Sequence, residues 1–188
     1  MNHLDSEFSS VAAVILAGGK SRRMGCDKSQ LTIAGNNLIE HSKNILKRSG
    51  IDEIFMSGKN GILDLFENKG PLSGIFTCLK KLESYQHVLF TPVDMPLLNE
   101  DIFKQLIYHK NMTACYFDDS LFPVIINNNQ KTRADLSQLL IRNDLSIKNM
   151  LNSIAAHALE NQYPDHCFLN ANNSKDWENI MRYFKLND

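Results

Sequence analysis

Short apolar runs and amphipathic stretches alternate along the chain. The residues from Val11 to Ala17 form an unbroken apolar run, which is typical of a strand buried on both faces of a parallel sheet. Shorter apolar runs predict further strands at 53–57, 87–91, 112–117 and 123–127, and a last strand that ends near Asn170. Glycines at 18 and 19 stop the first run, and prolines at 92 and 96 end the strand at 87–91.

Between these strands, apolar residues recur at helical spacing. The predicted helices cover 37–49, 71–85, 99–109, 132–141 and 146–153, and a final helix begins after Asn173. Gly50 suits the position just past a helix end, Asn99 suits an N-cap, and Asn173 with Asp176 is a capping signal. Strands that alternate with helices predict an α/β domain with a mostly parallel sheet, in which ligands bind at the carboxyl ends of strands.

Composition and charge restrict the class of protein. The 188 residues fit one domain, which we expect at 11–188 after a polar N-terminal extension at 1–10. A formal net charge of −1 gives no overall basic field, so we expect neither nucleic acid nor a membrane as a partner. The extension lacks the pattern of an export signal, which favours a cytoplasmic protein. Four cysteines without a C-x-x-C pair argue against a zinc ribbon.

The loop that follows the first apolar run carries the strongest chemical signal. It reads LAGGKSRRMGCDK from Leu16 to Lys28. Gly18 and Gly19 let backbone N–H groups approach an anion, and four basic side chains within nine residues match a triphosphate. The spacing fits neither the Walker A loop, because position 14 is Val, nor the dinucleotide fingerprint, because the glycines are adjacent. A solvated surface turn remains the alternative interpretation.

Asp94, just after the strand at 87–91, is the candidate metal ligand. Mg²⁺ binds through one or two carboxylates together with phosphate oxygens. The strand-end rule brings Asp94 to the same edge of the sheet as the basic loop. Asp94 could instead be an ordinary turn residue between two prolines. Asp27 and Asp64 are the other carboxylates around which such a site could be built.

The loop from Ala17 to Lys28 resembles the signature G-G-x-S-x-R-M-G-x-D-K of the molybdenum cofactor guanylyltransferases, the MobA family. Three later stretches follow in the family's order: GPLSGI at 70–75, TPVDMP at 91–96 and FLNAN at 168–172. The resemblance spans nearly the whole chain and implies a three-layer Rossmann-like nucleotidyltransferase fold with a mostly parallel mixed sheet. It also implies the reaction, in which GMP passes from GTP to the phosphate of molybdopterin with Mg²⁺ as cofactor and pyrophosphate as product.

The resemblance further assigns roles to residues of this chain. The implied catalytic residues are Arg23, Lys28 and Asp94, and Asp94 is the implied metal ligand. Asn170 and Asn172 are implied on the pterin side. The implied nucleotide-binding residues are Leu16, Ala17, Gly18, Gly19, Lys28, Ser57, Asp64, Gly70, Pro71, Leu72 and Asp94. The implied partners are GTP, molybdopterin, proteins of cofactor biosynthesis and the molybdoenzymes that receive the product.

One segment departs from the family pattern and leaves base recognition open. The chain between Ser57 and Gly70 is shorter than in the family, so the family's nucleotide-contacting Asp has Asp64 as its nearest counterpart and Glu67 as the second. A related cytidylyltransferase that uses CTP is the nearest alternative, although the stretch at 168–172 and the chain length favour the guanylyl type. The alternative from another class is an adaptor that binds nucleotide and cofactor without catalysis. The presence of Lys28 and Asp94 argues against it, because a protein that only binds has less need of a metal-binding carboxylate.

Overall fold

A six-stranded mixed sheet forms the centre of the computed structural model, which describes residues 11–17, 31–33, 35–66 and 69–185. The strands are β1 (Val11–Leu16), β2 (Thr32–Ile33), β3 (Asn36–Asn37), β4 (Ile54–Ser57), β5 (His87–Pro92), β6 (Ala114–Phe117), β7 (Ser120–Asn127) and β8 (His157–Leu159). The order in the sheet is β4-β1-β5-β7-β6-β8, and β2 pairs with β3 in a separate hairpin. The pairs β1–β4, β1–β5 and β6–β8 are parallel, whereas β7 is antiparallel to β5 and β6.

Six α-helices connect these strands in the part of the chain that the structure describes. They are α1 (Leu38–Arg48), α2 (Gly70–Lys81), α3 (Glu100–Tyr108), α4 (Gln130–Ile141), α5 (Ile147–Ser153) and α6 (Ser174–Lys185). Asn99 Oδ1 accepts the N–H of Ile102 at 3.1 Å, which caps α3 as predicted. After α1, Gly50 has a φ of 88°, which glycine adopts without strain, so its predicted place past the helix end is confirmed.

Helices cover both faces of the sheet. In β1, Ala12 and Val14 contact the layer that contains α2, α4 and α5, whereas Val11, Ala13 and Ile15 contact the layer that contains α1 and α3. Both faces of the strand are therefore buried, which is the physical reason for its unbroken apolar sequence. The predicted three-layer α/β architecture with a mostly parallel mixed sheet is confirmed.

The C-terminal part of the chain differs from the prediction. The strand predicted to end near Asn170 is wrong, because Asp165–Phe168 form a 3-10 helix and no strand follows it in the described residues. The eighth strand, β8, lies earlier in the chain and pairs with β6 at the edge of the sheet. Because His157 is exposed there, the strand has no apolar run that would predict it. The helix predicted to reach residue 85 ends at 81, because a turn follows in which Tyr85 N–H donates to Leu82 O at 3.0 Å.

Two further features of the described residues concern the cysteines and the helices. Cys78, Cys115 and Cys167 are buried free thiols, which pack like small hydrophobic residues. Among the helices described, none is both long enough and apolar enough to span a membrane. The extension at 1–10 lies outside the described residues.

Candidate functional site at the strand ends

The carboxyl ends of three neighbouring strands meet at one edge of the sheet. Leu16, the last residue of β1, is in register with Ser57 at the end of β4 and with Pro92 at the end of β5. The N–H of Val93 continues the pairing by donating to Leu16 O at 3.3 Å. The exit of β1 toward Ala17 therefore lies between Ser57 on one side and the turn that carries Asp94 on the other.

The turn that carries Asp94 is held from a second direction by α1. His41 of α1 places Nε2 at 2.8 Å from the carbonyl oxygen of Pro96. Because a carbonyl can only accept, Nε2 carries the proton and donates. Burial lowers the pKa of His41, and the positive charge of Arg48 lowers it further, whereas the hydrogen bond to Pro96 opposes the shift only in part. A neutral histidine with its proton on Nε2 therefore fixes the far end of the Asp94 turn.

The C-terminal segment reaches the same turn. The N–H of Ala171 donates to the main-chain oxygen of Asp94 at 2.7 Å, and Ala171 is completely buried. Asn172 N–H lies 3.2 Å from Asn170 O, so residues 170–172 form a tight turn instead of the predicted strand. The two asparagines therefore do not lie at the end of a strand, as the prediction of a last strand near Asn170 required. The structure nevertheless brings both residues to the Asp94 turn.

On the opposite side of the β1 exit, Asp64 and Ser57 lie together at the first turns of α2. A Cβ placed on Gly74 would be 3.3 Å from Asp64 Oδ1 and 3.5 Å from Ser57 Oγ. Both side chains therefore surround the same point, and a residue larger than glycine at 74 would press on the carboxylate. Asp64 is exposed as a residue, and partial desolvation of its carboxylate beside the helix raises its pKa.

The short segment after β4 folds back onto that strand. Gly58 N–H donates to Ile62 O at 2.9 Å, and Ile62 N–H donates to Met56 O at 2.8 Å. Gly61 makes this return possible, since a Cβ there would lie only 2.2 Å from Met56 O. This tight turn replaces the longer loop of the family pattern and still returns the chain to the site.

The residues around Asp64 are then anchored to α2 by two hydrogen bonds. Leu65 N–H donates to Thr77 Oγ1 at 3.0 Å, and Ser73 Oγ donates to Phe66 O at 2.8 Å. Ser73 and Thr77 belong to the buried face of the helix, where polar side chains need such partners. The carboxylate of Asp64 is thus carried by a short segment that is fixed at both ends.

The predicted GPL stretch forms the start of α2. Gly70 has a φ of 63° and opens the helix, and Pro71 occupies the first turn, where its missing N–H costs little. Leu72 is completely buried in the core, so its side chain packs against the sheet. Leu72 could therefore contact a ligand at the strand ends only through its backbone.

The phosphate-loop predictions fall largely on undescribed residues. Leu16 and Ala17 are half-buried at the exit of β1. Gly18, Gly19, Arg23 and Lys28 lie outside the described residues, as do Asp27 and Glu67, so their roles stay predictions.

Sequence reasoning missed two residues that shape the site. The sequence assigned no role to His41, because no local pattern links it to Pro96, which lies 55 positions away. Gly74 was not singled out, although it stands between Ser73 and Thr77 on an otherwise apolar helix face. Small and polar residues at such positions are a usable signal that something approaches the helix closely.

This strand-end arrangement on a three-layer sheet is that of a nucleotidyltransferase, and sequence comparison supplies the family. The model of the MobA-like NTP transferase domain matches residues 13–158. A molybdenum cofactor guanylyltransferase of Syntrophotalea carbinolica is 31% identical over 191 residues, with 91% of this chain and 90% of the relative covered. One from Xanthomonas euvesicatoria is 27% identical over 175 residues, with 89% and 93% covered. The chain belongs to the MobA-like NTP transferases, in the family of the molybdenum cofactor guanylyltransferases.

A solved structure agrees with the fold. Molybdopterin-guanine dinucleotide biosynthesis protein A from Archaeoglobus fulgidus superposes with a TM-score of 0.71 at 17% sequence identity. The superposition covers 94% of this chain and 99% of that protein. The two chains therefore share one architecture over nearly all of their length.

Proposed function

We propose that this enzyme transfers GMP from GTP to the terminal phosphate of molybdopterin and releases pyrophosphate. In the reaction, an oxygen of the acceptor phosphate forms a bond to the α-phosphorus of GTP, and the bond from that phosphorus to the bridging oxygen of pyrophosphate breaks. The acceptor is already ionised, so the enzyme needs positioning and charge neutralisation more than a strong general base. We also propose a cytoplasmic location, because GTP is supplied there.

The observation that carries the proposal is the meeting of three segments around the exit of β1. The Asp64–Ser57 corner lies on one side, the Asp94 turn lies on the other, and Ala171 N–H joins that turn to the segment of Asn170 and Asn172. A nucleotide that enters along the glycine-rich loop would have its base near the first corner and its phosphates near Asp94. The acceptor would then approach from the side of the two asparagines.

Base choice is proposed to depend on Asp64. Guanine presents two adjacent donors on its Watson–Crick edge, N1–H and the 2-amino group, and a carboxylate accepts both. Cytosine presents one amino donor beside the N3 acceptor, which a carboxylate would repel. A carboxylate fixed beside Ser57 Oγ supports GTP over CTP.

Asp94 is proposed to hold the Mg²⁺ that accompanies the nucleotide. The donor set fits this ion, because Mg²⁺ is bound by one or two carboxylates together with substrate phosphates and water. When bound, the ion would neutralise charge on the phosphoryl oxygens. Lys28 and Arg23 are proposed to add positive charge from the glycine-rich loop.

One experiment tests the proposal directly. Purified protein with molybdopterin and Mg²⁺ would be given GTP, CTP, ATP or UTP, with pyrophosphate release and the dinucleotide product measured. Thermal shifts with each triphosphate would run in parallel, since a ligand that binds only the folded state raises the melting temperature. Turnover and the largest shift are expected with GTP. Preference for CTP would favour the cytidylyltransferase, and binding without turnover would favour the adaptor.

A further inference from the structure

The start of α6 departs from an ordinary helix cap. Asn173 caps the helix, because its Oδ1 accepts the N–H of Asp176 at 3.0 Å. In a capping box, the carboxylate three residues into the helix would accept the backbone N–H of the cap residue. Here, Asp176 Oδ2 accepts the N–H of Asn172 at 3.1 Å and the side-chain amide of Asn173 at 2.9 Å. The carboxylate thus reaches one residue further back than helix capping requires.

That extra reach connects α6 to the candidate site. The N–H of Asn172 donates both to Asn170 O, at 3.2 Å, and to Asp176 Oδ2, which closes the turn at 170–172. At the middle of the same turn, Ala171 N–H donates to Asp94 O at 2.7 Å. The turn at 170–172 is therefore held on one side by the main-chain oxygen of Asp94 and on the other by a side-chain oxygen of Asp176 in α6.

We propose that Asp176 is a positioning residue for the acceptor side of the reaction. Its carboxylate fixes the turn that carries Asn170 and Asn172 against the Asp94 turn, so that the acceptor phosphate meets the nucleotide at a set distance. Asp176 acts through the turn and contacts neither substrate. The inference rests on the proposed function for its substrate assignment, whereas the contact between helix and turn stands on geometry alone.

A purely structural cap predicts a different outcome from a positioning residue. Loss of a cap lowers the stability of α6 and lowers activity without distinguishing the two substrates. Loss of positioning raises the KM for molybdopterin and leaves the KM for GTP unchanged, because the Asp64 side of the site lies on the other side of β1. The ratio of the two KM values is therefore the informative quantity.

The kinetic test compares three variants. Asp176→Ala removes both hydrogen bonds, Asp176→Asn keeps one acceptor oxygen, and Glu178→Ala removes an exposed carboxylate from the same helix as a matched control. Pyrophosphate release would be measured with each substrate varied at saturation of the other. We expect the KM for molybdopterin to rise on the order of tenfold in Asp176→Ala, as for loss of a charge-assisted hydrogen bond, and less in Asp176→Asn. The KM for GTP should stay within about twofold, the scatter normal for a distant surface change, and Glu178→Ala should match the wild type.

A second measurement is independent of turnover. Amide hydrogen exchange, followed by NMR, reports how firmly the N–H of Asn172 is held. In Asp176→Ala we expect faster exchange at Asn172 and unchanged exchange at Val14 in the core strand β1. Unchanged exchange at Asn172, or a GTP KM that rises as much as the acceptor KM, would overturn the proposal. A wild-type protein inactive with all four triphosphates would instead refute the proposed function, and the exchange data would then decide whether Asp176 holds the turn.

Discussion

The Asp64→Asn substitution tests base recognition most sharply. The amide has nearly the same size as the carboxylate, so it should fit the space that glycine at position 74 leaves open. Asp64 is exposed as a residue and its carboxylate is only partly desolvated, so removing the charge should change the free energy of unfolding little, and we expect a folded protein. The neighbouring Cys78 should keep its protonated thiol in the variant. Burial in the main, with the charge of Asp64 as the second cause, raises its pKa to about 12.

The expected loss of affinity for GTP follows from the hydrogen bonds that a carboxylate and an amide can each make to the Watson–Crick edge of guanine. The amide can accept from only one guanine donor and turns an N–H₂ group toward the other. Loss of one charge-assisted hydrogen bond costs about 1.5–3 kcal/mol, which corresponds to a rise in the KM for GTP of roughly ten- to a hundredfold. The value of kcat at saturation should change less, because the contact is made in the ground state and the transition state alike.

A matched nucleotide and a matched variant complete the assay. Xanthosine triphosphate carries a carbonyl in place of the 2-amino group of guanine, so it should bind the Asp64→Asn variant better than the wild type. Asp52→Asn removes an exposed carboxylate before β4 and should leave the KM values for GTP and xanthosine triphosphate unchanged. If Asp64→Asn kept the wild-type KM for GTP and gained nothing with xanthosine triphosphate, Asp64 would not read the base, and Glu67 would become the candidate.

Three further predictions concern the other parts of the molecule. Asp94→Asn should fold and bind GTP but lose on the order of 10²–10³ in turnover; near-normal transfer at ordinary Mg²⁺ would refute the metal assignment. Asn170→Ala combined with Asn172→Ala should weaken the use of molybdopterin and spare GTP affinity, and an equal loss for GTP would move both residues into the nucleotide site. Acid should destabilise the protein through His87, which is buried without a hydrogen-bond partner among the described residues, and urea unfolding at a series of pH values would measure this effect.

The sign of the pH effect follows from proton linkage. Burial, together with the positive charge of Lys110, lowers the pKa of His87 below the ordinary value of 6.5. Between the pKa of His87 in the folded protein and the ordinary value of 6.5, the unfolded chain binds more protons than the folded chain. The free energy of unfolding therefore falls as the pH drops below 6.5, whereas above 6.5 His87 causes no such loss. His87→Leu should show a shallower fall over this range, and an identical pH profile in the variant would exclude His87 as a cause.

The sequence determined those features whose signals lie in neighbouring residues. The apolar run at 11–17 specifies a strand that is buried on both faces, and the caps at Asn99 and Gly50 specify helix ends, because each depends on a few adjacent side chains and backbone angles. The signal that places Asp94 at a strand end also lies in adjacent residues. The family motifs added a hypothesis about the chemistry, since the residue types and spacing of the predicted phosphate loop also lie in one short segment, and its role stays a prediction.

The signals failed where the structure is irregular. The stretch at 168–172 suggested an alternating strand, yet Leu169 is 38% exposed and Ala171 is completely buried, although both occupy the same phase of the alternation. Short irregular turns have no period from which they can be predicted. An edge strand such as β8, whose first two residues are exposed, carries too little apolar patterning to be found.

Tertiary structure alone decided which of these segments meet. The register of Leu16 with Ser57 and Pro92 depends on β1 lying between β4 and β5, an order that no single segment encodes. The approach of Asp64 to Gly74 and the hydrogen bond from Ala171 to Asp94 O arise only after the strands are assembled and the helices have packed on both faces. Such contacts are set by packing between residues far apart in the chain. Their partners can therefore be identified only in the folded molecule.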